Sequence, residues 1–270
     1  MISSLSNGRI KQVALWQKKA RERKMSNIFI VEGIRMYEEA PADWILETYV
    51  SSRECTRLRQ EREGRGLAVW EKLCRIGFEE VTEEVFTKMS DTNSPQGILC
   101  VLRRPAYEWK DLIACKKGDS PLLLVLEDLQ DPGNLGTILR TGEGAGVSGV
   151  ILSRDTVDIY NPKTIRATMG SIYRVPHMYV EDLGEAVRSL EDSQVHVYAA
   201  HLAGENYYST FDFRQATAFL IGNEGNGLKK ETADLAESYL KIPMEGQVES
   251  LNAAISAGLL VYEAHRQRHS

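Results

Sequence analysis

The chain has 270 residues, of which 43% are hydrophobic and 26% charged, and its formal net charge is −5. These values are typical of a globular protein of two domains, and the net charge argues against a surface that binds nucleic acid over its whole extent. No apolar run approaches the ~20 residues of a membrane helix, and the first residues lack the apolar stretch of a secretory signal. We therefore expect a cytoplasmic protein that does not contact a membrane.

The first half of the chain alternates between helical and strand-like patterns. Helices are predicted at residues 10–24, 34–40, 53–65 and 81–89, and strands at 29–33, 44–51 and 97–102. Thr82 is the predicted N-cap of the last of these helices. This alternation predicts an α/β domain over residues 1–105, followed by a linker at 106–117.

The charge of this first half differs from that of the rest. Residues 1–105 contain 18 Lys and Arg against 15 Asp and Glu, whereas residues 106–270 contain 15 against 23. Seven of the basic residues fall within residues 1–24. Such an asymmetry is typical of an end that binds a polyanion, but a helix face exposed to solvent would carry the same charges. The charges alone leave both interpretations open.

The second half, residues 118–270, predicts a mainly parallel sheet. Strands are expected at residues 121–126, 149–152, 195–200, 216–221 and 238–242, and helices at 135–142, 162–169, 183–190, 228–237 and 251–266. Strands that alternate with helices are joined by crossover connections, which make neighbouring strands parallel. The continuous apolar run at 121–126 is typical of a strand that is buried on both faces.

Several short patterns invite a chemical interpretation that the sequence does not support. Glu127, Asp128 and Asp131 follow a buried strand and would suit Mg²⁺, but no second cluster of metal ligands follows, so we favour a polar turn and expect no metal. The glycines at 142–146 end a predicted helix instead of opening one, which argues against a dinucleotide fingerprint. Ser250 lacks the G-x-S-x-G context of a hydrolase nucleophile. The four cysteines form no C-x-x-C pair, so we expect reduced, mostly buried thiols and no zinc site.

Three dense runs carry the functional signal. They are Asn-Leu-Gly-Thr-Ile-Leu-Arg-Thr at 134–141, Phe-Leu-Ile-Gly-Asn-Glu-Gly-Asn-Gly-Leu at 219–228, and the glycine turn followed by Ser250 and Asn252 within 242–258. In this order they resemble the three motifs of the SpoU (TrmH-like, SPOUT superfamily) RNA ribose 2′-O-methyltransferases. Enzymes of that family use S-adenosylmethionine (SAM).

The resemblance implies a fold as well as an activity. Residues 118–270 resemble the α/β-knot methyltransferase domain, which contains a deep trefoil knot and forms homodimers. Residues 1–105 resemble the smaller L30e-like α/β/α domain that binds the RNA substrate, on the segments 2–9, 15–23, 29–33 and 94–97. Because tRNA-specific members lack this domain, the resemblance implies 23S ribosomal RNA as the substrate and partner. A tRNA ribose methyltransferase and a catalytically silent RNA-binding protein remain the alternatives.

The resemblance also implies a set of site residues. The predicted catalytic residues are Asn134, Arg140, Glu224, Ser250 and Asn252. The predicted SAM-binding residues are Ala200, Gly222, Asn223, Gly225, Ile242, Met244, Gly246, Leu251 and Ala253. The predicted RNA-binding residues are Arg9, Lys18, Lys19, Arg21, Arg23, Lys163 and Arg166. A guanidinium is a poor base, so we expect Arg140 to bind the adjoining phosphate and orient the ribose hydroxyl.

Overall fold

The computed structural model describes residues 1–115, 118–245, 247 and 250–270. These residues form two compact units. The first comprises Met1–Ala106 and Tyr160–Tyr173, and the second comprises Tyr107–Ile159 and Arg174–Ser270. None of the helices in the described ranges is long and apolar enough to cross a membrane.

The helices and strands alternate along the chain. The helices are α1 (Gly8–Lys18), α2 (Ala20–Met25), α3 (Ile34–Glu39), α4 (Ser52–Gln60), α5 (Gly64–Ile76), α6 (Glu83–Met89), α7 (Trp109–Leu112), α8 (Pro132–Ala145), α9 (Pro162–Thr168), α10 (Leu183–Asp192), α11 (Lys230–Ala233) and α12 (Ala253–Arg268). The strands are β1 (Ile28–Glu32), β2 (Ile45–Ser51), β3 (Glu79–Val81), β4 (Ile98–Arg103), β5 (Leu122–Leu126), β6 (Gly149–Ser153), β7 (His177–Val180), β8 (His196–Ala200), β9 (Asn206–Tyr207), β10 (Thr217–Ile221) and β11 (Ser238–Lys241).

The sheet of the first unit has the order β1-β4-β2-β3 among the described residues. Strand β4 runs antiparallel to both β1 and β2, and β3 runs parallel to β2. Apolar side chains of α1 and α6, among them Ile10 and Phe86, form one core cluster with this sheet. At the end of α3 the ammonium of Lys72 donates to three backbone carbonyls, which satisfies acceptors that a helix C-terminus leaves open. The α/β character predicted for this half is confirmed.

Two predicted helices of the first unit are wrong in extent. The predicted helix 10–24 is broken at Lys19, whose backbone is extended (φ −120°, ψ 108°), so α1 and α2 are separate helices. The predicted helix 53–65 ends at Gln60, and a second helix, α5, begins at Gly64. Both breaks fall in runs of charged residues, and the local backbone shows them. Thr82 is the N-cap of α6, as predicted.

The segment Tyr160–Tyr173 packs with the first unit, although the sequence assigned it to the domain 118–270. The Tyr160 ring lies 4.9 Å from that of Phe29, and the Arg104 guanidinium lies 4.4 Å from the centre of the Tyr160 ring. The hydroxyl of Tyr173 donates to the carbonyl of Met36 at 2.9 Å. Burial of these two aromatic rings accounts for the association. The domain boundaries inferred from the sequence stay a prediction.

The second unit contains a seven-stranded sheet in its described part, with the order β7-β6-β5-β10-β8-β11-β9. All of its strand pairs are parallel, which confirms the mainly parallel sheet. The predicted helix 228–237 is reduced to the single turn of α11, and a short turn then leads into β11 at Ser238. Strands β7 and β9 were not predicted. Because β10 pairs with β5 so that Ile221 lies opposite Leu126, the segments that follow these two strands leave the sheet side by side.

The cysteines depart from the expectation in one respect. Cys55 and Cys100 are buried free thiols, as predicted, but Cys74 and Cys115 are exposed. Cys74 lies on α5, the helix that the sequence pattern did not reveal as a separate element. Burial of a thiol follows from the helix face on which it lies, and that face was unknown.

Candidate functional site

The turn after β5 is held by its own carboxylates. Glu127 is buried and accepts hydrogen bonds from the Lys229 amide (2.7 Å) and the Thr232 hydroxyl (2.5 Å). Asp128 has a left-handed backbone (φ 52°) and forms an ion pair with Lys229 at 2.7 Å. Asp131 is the N-cap of α8. The predicted polar turn is therefore confirmed, and among the described residues no three His, Cys, Asp or Glu side chains are grouped to hold a metal ion.

The loop after β10, residues 222–228, is closed on itself. Backbone hydrogen bonds join Asn223 and Gly227 in both directions, at 3.0 and 2.9 Å. The Asn223 side chain accepts from the amides of Gly225 and Asn226, and its NH₂ group donates to the carbonyl of Asp128 at 2.7 Å. An Asn that bonds to amides two and three residues ahead stabilises a tight turn. Asn223 thus fixes this loop against the turn that follows β5.

Glu224, at the tip of this loop, begins a hydrogen-bond network that joins all three predicted motifs. Its Oε1 accepts from Asn134 Nδ2 at 3.0 Å, and Asn134 Oδ1 accepts from Asn252 Nδ2, also at 3.0 Å. Asn252 is the N-cap of α12, and its Oδ1 accepts from the amides of Ala254 and Ile255. An ionised carboxylate can only accept hydrogen bonds, so the donor direction is the same along the whole chain of amides. Both asparagine side chains are therefore held in one orientation.

The charge state of Glu224 follows from its contacts. Partial burial raises its pKa, but the hydrogen bonds from Asn134 and from the amides of Gln130 and Asp131 outweigh burial, and the net pKa is lowered. A carboxylate with a lowered pKa is ionised at neutral pH and is a weak base. Glu224 is thus suited to position Asn134 and is poorly suited to remove a proton.

Beside this network lies a cavity of about 310 Å³, a size within the range of small-molecule sites. It lies at the carboxyl ends of the parallel strands β8, β10 and β11. Eight of the nine predicted SAM-binding residues line it: Ala200, Gly222, Asn223, Gly225, Ile242, Met244, Leu251 and Ala253. Gly246, the ninth, lies outside the described residues. Glu224 and Ser250 also line the cavity, so two of the predicted catalytic residues adjoin the predicted cofactor position.

The other predicted catalytic residues lie outside the lining. Asn134 and Asn252 reach it only through their hydrogen bonds to Glu224 and to each other. Arg140 is exposed on α8, six residues beyond Asn134. A spacing of six residues directs the Arg140 side chain well away from the helix face that carries Asn134. The structure therefore brings four of the five together and leaves Arg140 on a separate surface of the same helix.

Several lining residues were missed by the sequence interpretation. They lie at the ends of two strands and in the loop between Gly225 and Leu228: His201, Leu202, Asn226, Gly227, Leu228, Leu240 and Lys241. The general rule that α/β sheets bind ligands at the carboxyl ends of their strands would have indicated His201 after β8 and Lys241 at the end of β11. The strand order that makes β8 and β11 neighbours was the missing information.

All seven predicted RNA-binding residues belong to the first unit. Lys18, Lys19 and Arg21 are exposed, and so are Lys163 and Arg166 on α9. Arg9 is also exposed and forms ion pairs with Glu79 (3.2 Å) and Glu47 (3.8 Å), and Arg166 forms one with Asp91 (3.0 Å).

Arg23 is a correction. Its side chain is buried, with only 2% of its surface exposed, and its guanidinium donates to the carbonyls of Trp16 (2.7 Å) and Gln17 (3.2 Å). These carbonyls lie near the end of α1, where a cation is favourable. Arg23 therefore joins α2 to α1 and does not present its charge to RNA.

Comparison with known proteins agrees with these observations. Residues 121–262 match the SpoU rRNA Methylase family, and residues 7–100 match the MRM3-like substrate binding domain. The 23S rRNA (guanosine(2553)-2′-O)-methyltransferase RlmP of Bacillus subtilis is 30% identical over 263 residues, which are 97% of each chain.

Solved structures extend the agreement to the fold. An AdoMet-bound rRNA methyltransferase from Sinorhizobium meliloti is 30% identical, with a TM-score of 0.83, over 98% of this chain and 97% of the other. The SpoU methyltransferase AviRb from Streptomyces viridochromogenes, in complex with the cofactor AdoMet, is 26% identical with a TM-score of 0.83, over 98% and 99% of the two chains. The family match covers more than half of the chain, and one relative aligns with nearly all of it. The chain therefore belongs to the SpoU rRNA methylase family.

Proposed function

We propose that the chain transfers a methyl group from SAM to a ribose 2′-hydroxyl of 23S ribosomal RNA. The observation that carries this proposal is the cavity lined by the loop 222–228 and by Ile242, Met244 and Leu251, which adjoins the network of Glu224, Asn134 and Asn252. Membership of the SpoU family and the names of the relatives support it. A substrate of this kind places the protein in the cytoplasm, where ribosomal RNA is found.

The residues of the cavity fit SAM. Apolar side chains of Ile221, Leu228 and Ile242 supply walls, and the backbone of the 222–228 loop supplies hydrogen-bonding groups for an adenine ring. SAM, when bound, supplies an electrophilic methyl group on a sulfonium.

The protein residues then hold the acceptor in place. Asn134 and Asn252 cannot exchange protons at neutral pH, and Glu224 is a weak base, so we assign the network to the orientation of the ribose. The hydrogen bonds that Glu224 accepts from Asn134, Gln130 and Asp131 fix its carboxylate in that role. The proton of the 2′-hydroxyl leaves through water or an RNA phosphate.

We further propose that two copies pair through the second unit, and that this unit contains the trefoil knot of the family. Three large apolar residues on α12 support pairing: Ile255, Leu259 and Tyr262 are 55%, 37% and 49% exposed. Their spacing of four and three residues places them on one face of the helix. Sedimentation should show a dimer, and Leu259→Glu should yield a folded monomer, because the charge would be buried against the partner. A wild-type monomer would contradict this part of the proposal.

RNA affinity is assigned to the first unit, which contains all seven predicted RNA-binding residues, although Arg23 is buried and is excluded as a phosphate contact. The exposed basic residues Lys18, Lys19 and Arg21 are its strongest candidates for phosphate contacts.

The decisive test is to map ribose methylation. The purified chain is incubated with SAM and with 23S rRNA or tRNA that lacks the modification, and 2′-O-methyl positions are mapped by sequencing. We expect one new site in 23S rRNA, and the position named for the Bacillus subtilis relative, guanosine 2553, is the first to inspect. Asn134→Ala is the matched control, which should be folded and inactive. Methylation of tRNA alone would overturn the substrate, and SAM binding without transfer to any RNA would overturn the activity.

A further inference from the structure

A second cavity, of about 190 Å³, lies within the first unit and has no part in the proposed methyl transfer. It is formed at the junction of β1 and α3 by Glu32, Gly33, Arg35 and Met36, by Thr92 and Gln96 of the segment before β4, and by Arg166 of α9 and Met169 at the end of that helix. These three segments are far apart in the sequence. The cavity is smaller than the ~300 Å³ at which sites for larger ligands begin, so it suits one small ring system.

The polar wall of the cavity is a carboxylate held in place by neutral groups. Glu32 Oε1 accepts from the hydroxyls of Ser90 (3.0 Å) and Thr92 (3.1 Å) and from the Gln96 amide (3.4 Å). Oε2 is contacted by the Ser90 hydroxyl at 2.8 Å. A carboxylate oxygen has two acceptor directions, so Oε2 can accept a second hydrogen bond from a ligand. Among the described residues the partners of Glu32 are two hydroxyls and an amide, so no cation there cancels its negative charge.

The remaining walls suit a flat ring. Met36 and Met169 contribute thioether side chains, which pack well against aromatic faces. The end of the Gln96 side chain lies against Gly33, where a Cβ atom would be only 2.5 Å from Gln96 Oε1 and where φ is +106°. Gly33 thereby allows Gln96 to close one side of the cavity.

The charged residues that line the cavity favour a base over a phosphate as its ligand. Arg35 and Arg166 line the cavity, but each forms an ion pair at 3.0 Å, with Glu39 and Asp91 respectively. A phosphate inside the cavity would meet the carboxylate of Glu32. An amino group would instead donate to it, as the N4 amino group of cytosine donates to Glu or Asp in nucleic-acid complexes.

We propose that this cavity binds one unpaired nucleobase of the RNA substrate, a base that carries an exocyclic amino group. Glu32 accepts from that amino group, Met36 and Met169 contact the ring, and the backbone phosphate stays outside. The base must be unpaired, because pairing occupies the same amino group and proteins recognise RNA bases mainly in single-stranded segments. This inference rests on the proposed function in that it takes RNA as the ligand.

The test uses the full chain labelled with ¹³C at its methionine methyl groups. The chain has seven methionines. Met36 and Met169 report on this cavity, Met244 reports on the SAM cavity, and the exposed Met25 is an internal control. CMP, UMP and inorganic phosphate are added in turn. CMP and UMP differ at position 4, where cytosine has an amino group and uracil a carbonyl.

We expect CMP to shift the Met36 and Met169 signals saturably, with an affinity about tenfold or more above that of UMP. Uracil would bring a carbonyl against a carboxylate and lose a hydrogen bond to a charged group. Glu32→Gln should abolish the preference, because an amide can donate to the uracil carbonyl, whereas Glu84→Gln, an exposed acid on α6, should retain it. If Glu32→Gln does not fold, the comparison of CMP with UMP on the wild-type chain decides alone.

Three results would overturn the inference: Met36 and Met169 signals that no nucleotide moves, equal affinities for CMP and UMP, or shifts that phosphate alone reproduces. The same samples separate this inference from the proposed function. A SAM-dependent shift of Met244 without any nucleotide effect removes the base site and leaves the methyltransferase assignment. A nucleotide effect on Met36 and Met169 without a SAM-dependent shift of Met244 removes the methyltransferase assignment and leaves the base site.

Discussion

Gly222 offers the sharpest test of how the SAM cavity is built. A Cβ atom at this position would lie 2.5 Å from the carbonyl oxygen of Gly227 and nearer still to the peptide bond between Gly227 and Leu228. Real Cβ atoms essentially never approach heavy atoms within 3.0 Å, and the obstacle here is backbone. Gly222→Ala must therefore push the two sides of the 222–228 loop apart.

The cost can be estimated from the contacts that hold the loop closed. Two backbone hydrogen bonds between Asn223 and Gly227 would be lost or stretched, at about 1 kcal/mol each. A total of about 2 kcal/mol corresponds to a fall in melting temperature of roughly 4–8 °C for a chain of this size. Because the loop lines the cavity, SAM affinity should fall by about tenfold or more, as an opened loop misplaces the backbone groups.

Calorimetry and thermal unfolding check this prediction. Gly225→Ala is the matched control in the same loop, because its Cβ would meet only Asn223 Oδ1, at an ordinary 3.5 Å. We expect the melting temperature of this control to equal that of the wild type. Unchanged SAM affinity and stability in Gly222→Ala, or equal damage in both variants, would refute the reasoning.

Four further predictions concern side chains. Arg140→Ala should lower turnover, measured by kinetics, by at least about tenfold, because we expect Arg140 to orient the ribose hydroxyl. SAM affinity, measured by calorimetry, should stay within about threefold, because Arg140 does not line the cavity. Arg23→Ala should lower the melting temperature by about 5 °C and leave the salt dependence of RNA binding unchanged, because its charge is buried on two carbonyls. Arg21→Ala should keep the melting temperature and flatten the salt slope by roughly 0.7–0.9. The hydrogen bond from His196 to Glu237 raises the pKa of His196 above its usual 6.5. The stabilisation of the fold by this pair is therefore fully present below pH 6.5 and is lost as the pH rises through the raised pKa. The melting temperature of the wild type should therefore exceed that of Glu237→Gln more at pH 6 than at pH 8.

Contrary outcomes would refute these expectations, and an unchanged salt slope in Arg21→Ala would mean that its charge does not contact RNA phosphate. A collapse of SAM affinity in Arg140→Ala with preserved single-turnover chemistry would place that residue in the cofactor site. A flattened salt slope in Arg23→Ala would mean that its charge reaches RNA after all. A difference between wild type and Glu237→Gln that is the same at both pH values would show that the ion pair does not govern the titration of His196.

The local sequence pattern was sufficient to predict elements whose determining residues lie within one segment. The apolar runs at 121–126 and 216–221 predict buried strands, and both are found within a residue of the expected bounds. The predicted helix end at the glycines 142–146 is also found, with Gly146 in the left-handed conformation. These features depend on side-chain burial and backbone freedom a few residues apart, which the sequence displays directly.

The local sequence pattern gave wrong predictions where contacts between residues distant in the sequence determine the structure. The break at Lys19 interrupts a continuous helical pattern, and the burial of Arg23 depends on how α2 folds back onto α1. The segment 160–173 fits a helix of the second domain by its sequence, yet Tyr160 and Tyr173 pack with residues of the first unit. In each case the deciding energy comes from groups that the sequence does not place next to each other.

The sequence by itself determined the family, the alternation of helices and strands, and the three motifs, because these are properties of residues in order. Only the tertiary structure decided what the motifs do together. Parallel pairing of β10 with β5 places Glu224 beside Asn134, and the position of α12 brings Asn252 to the same point. Long-range strand order and helix packing set these distances, and they depend on the whole core and not on any one segment.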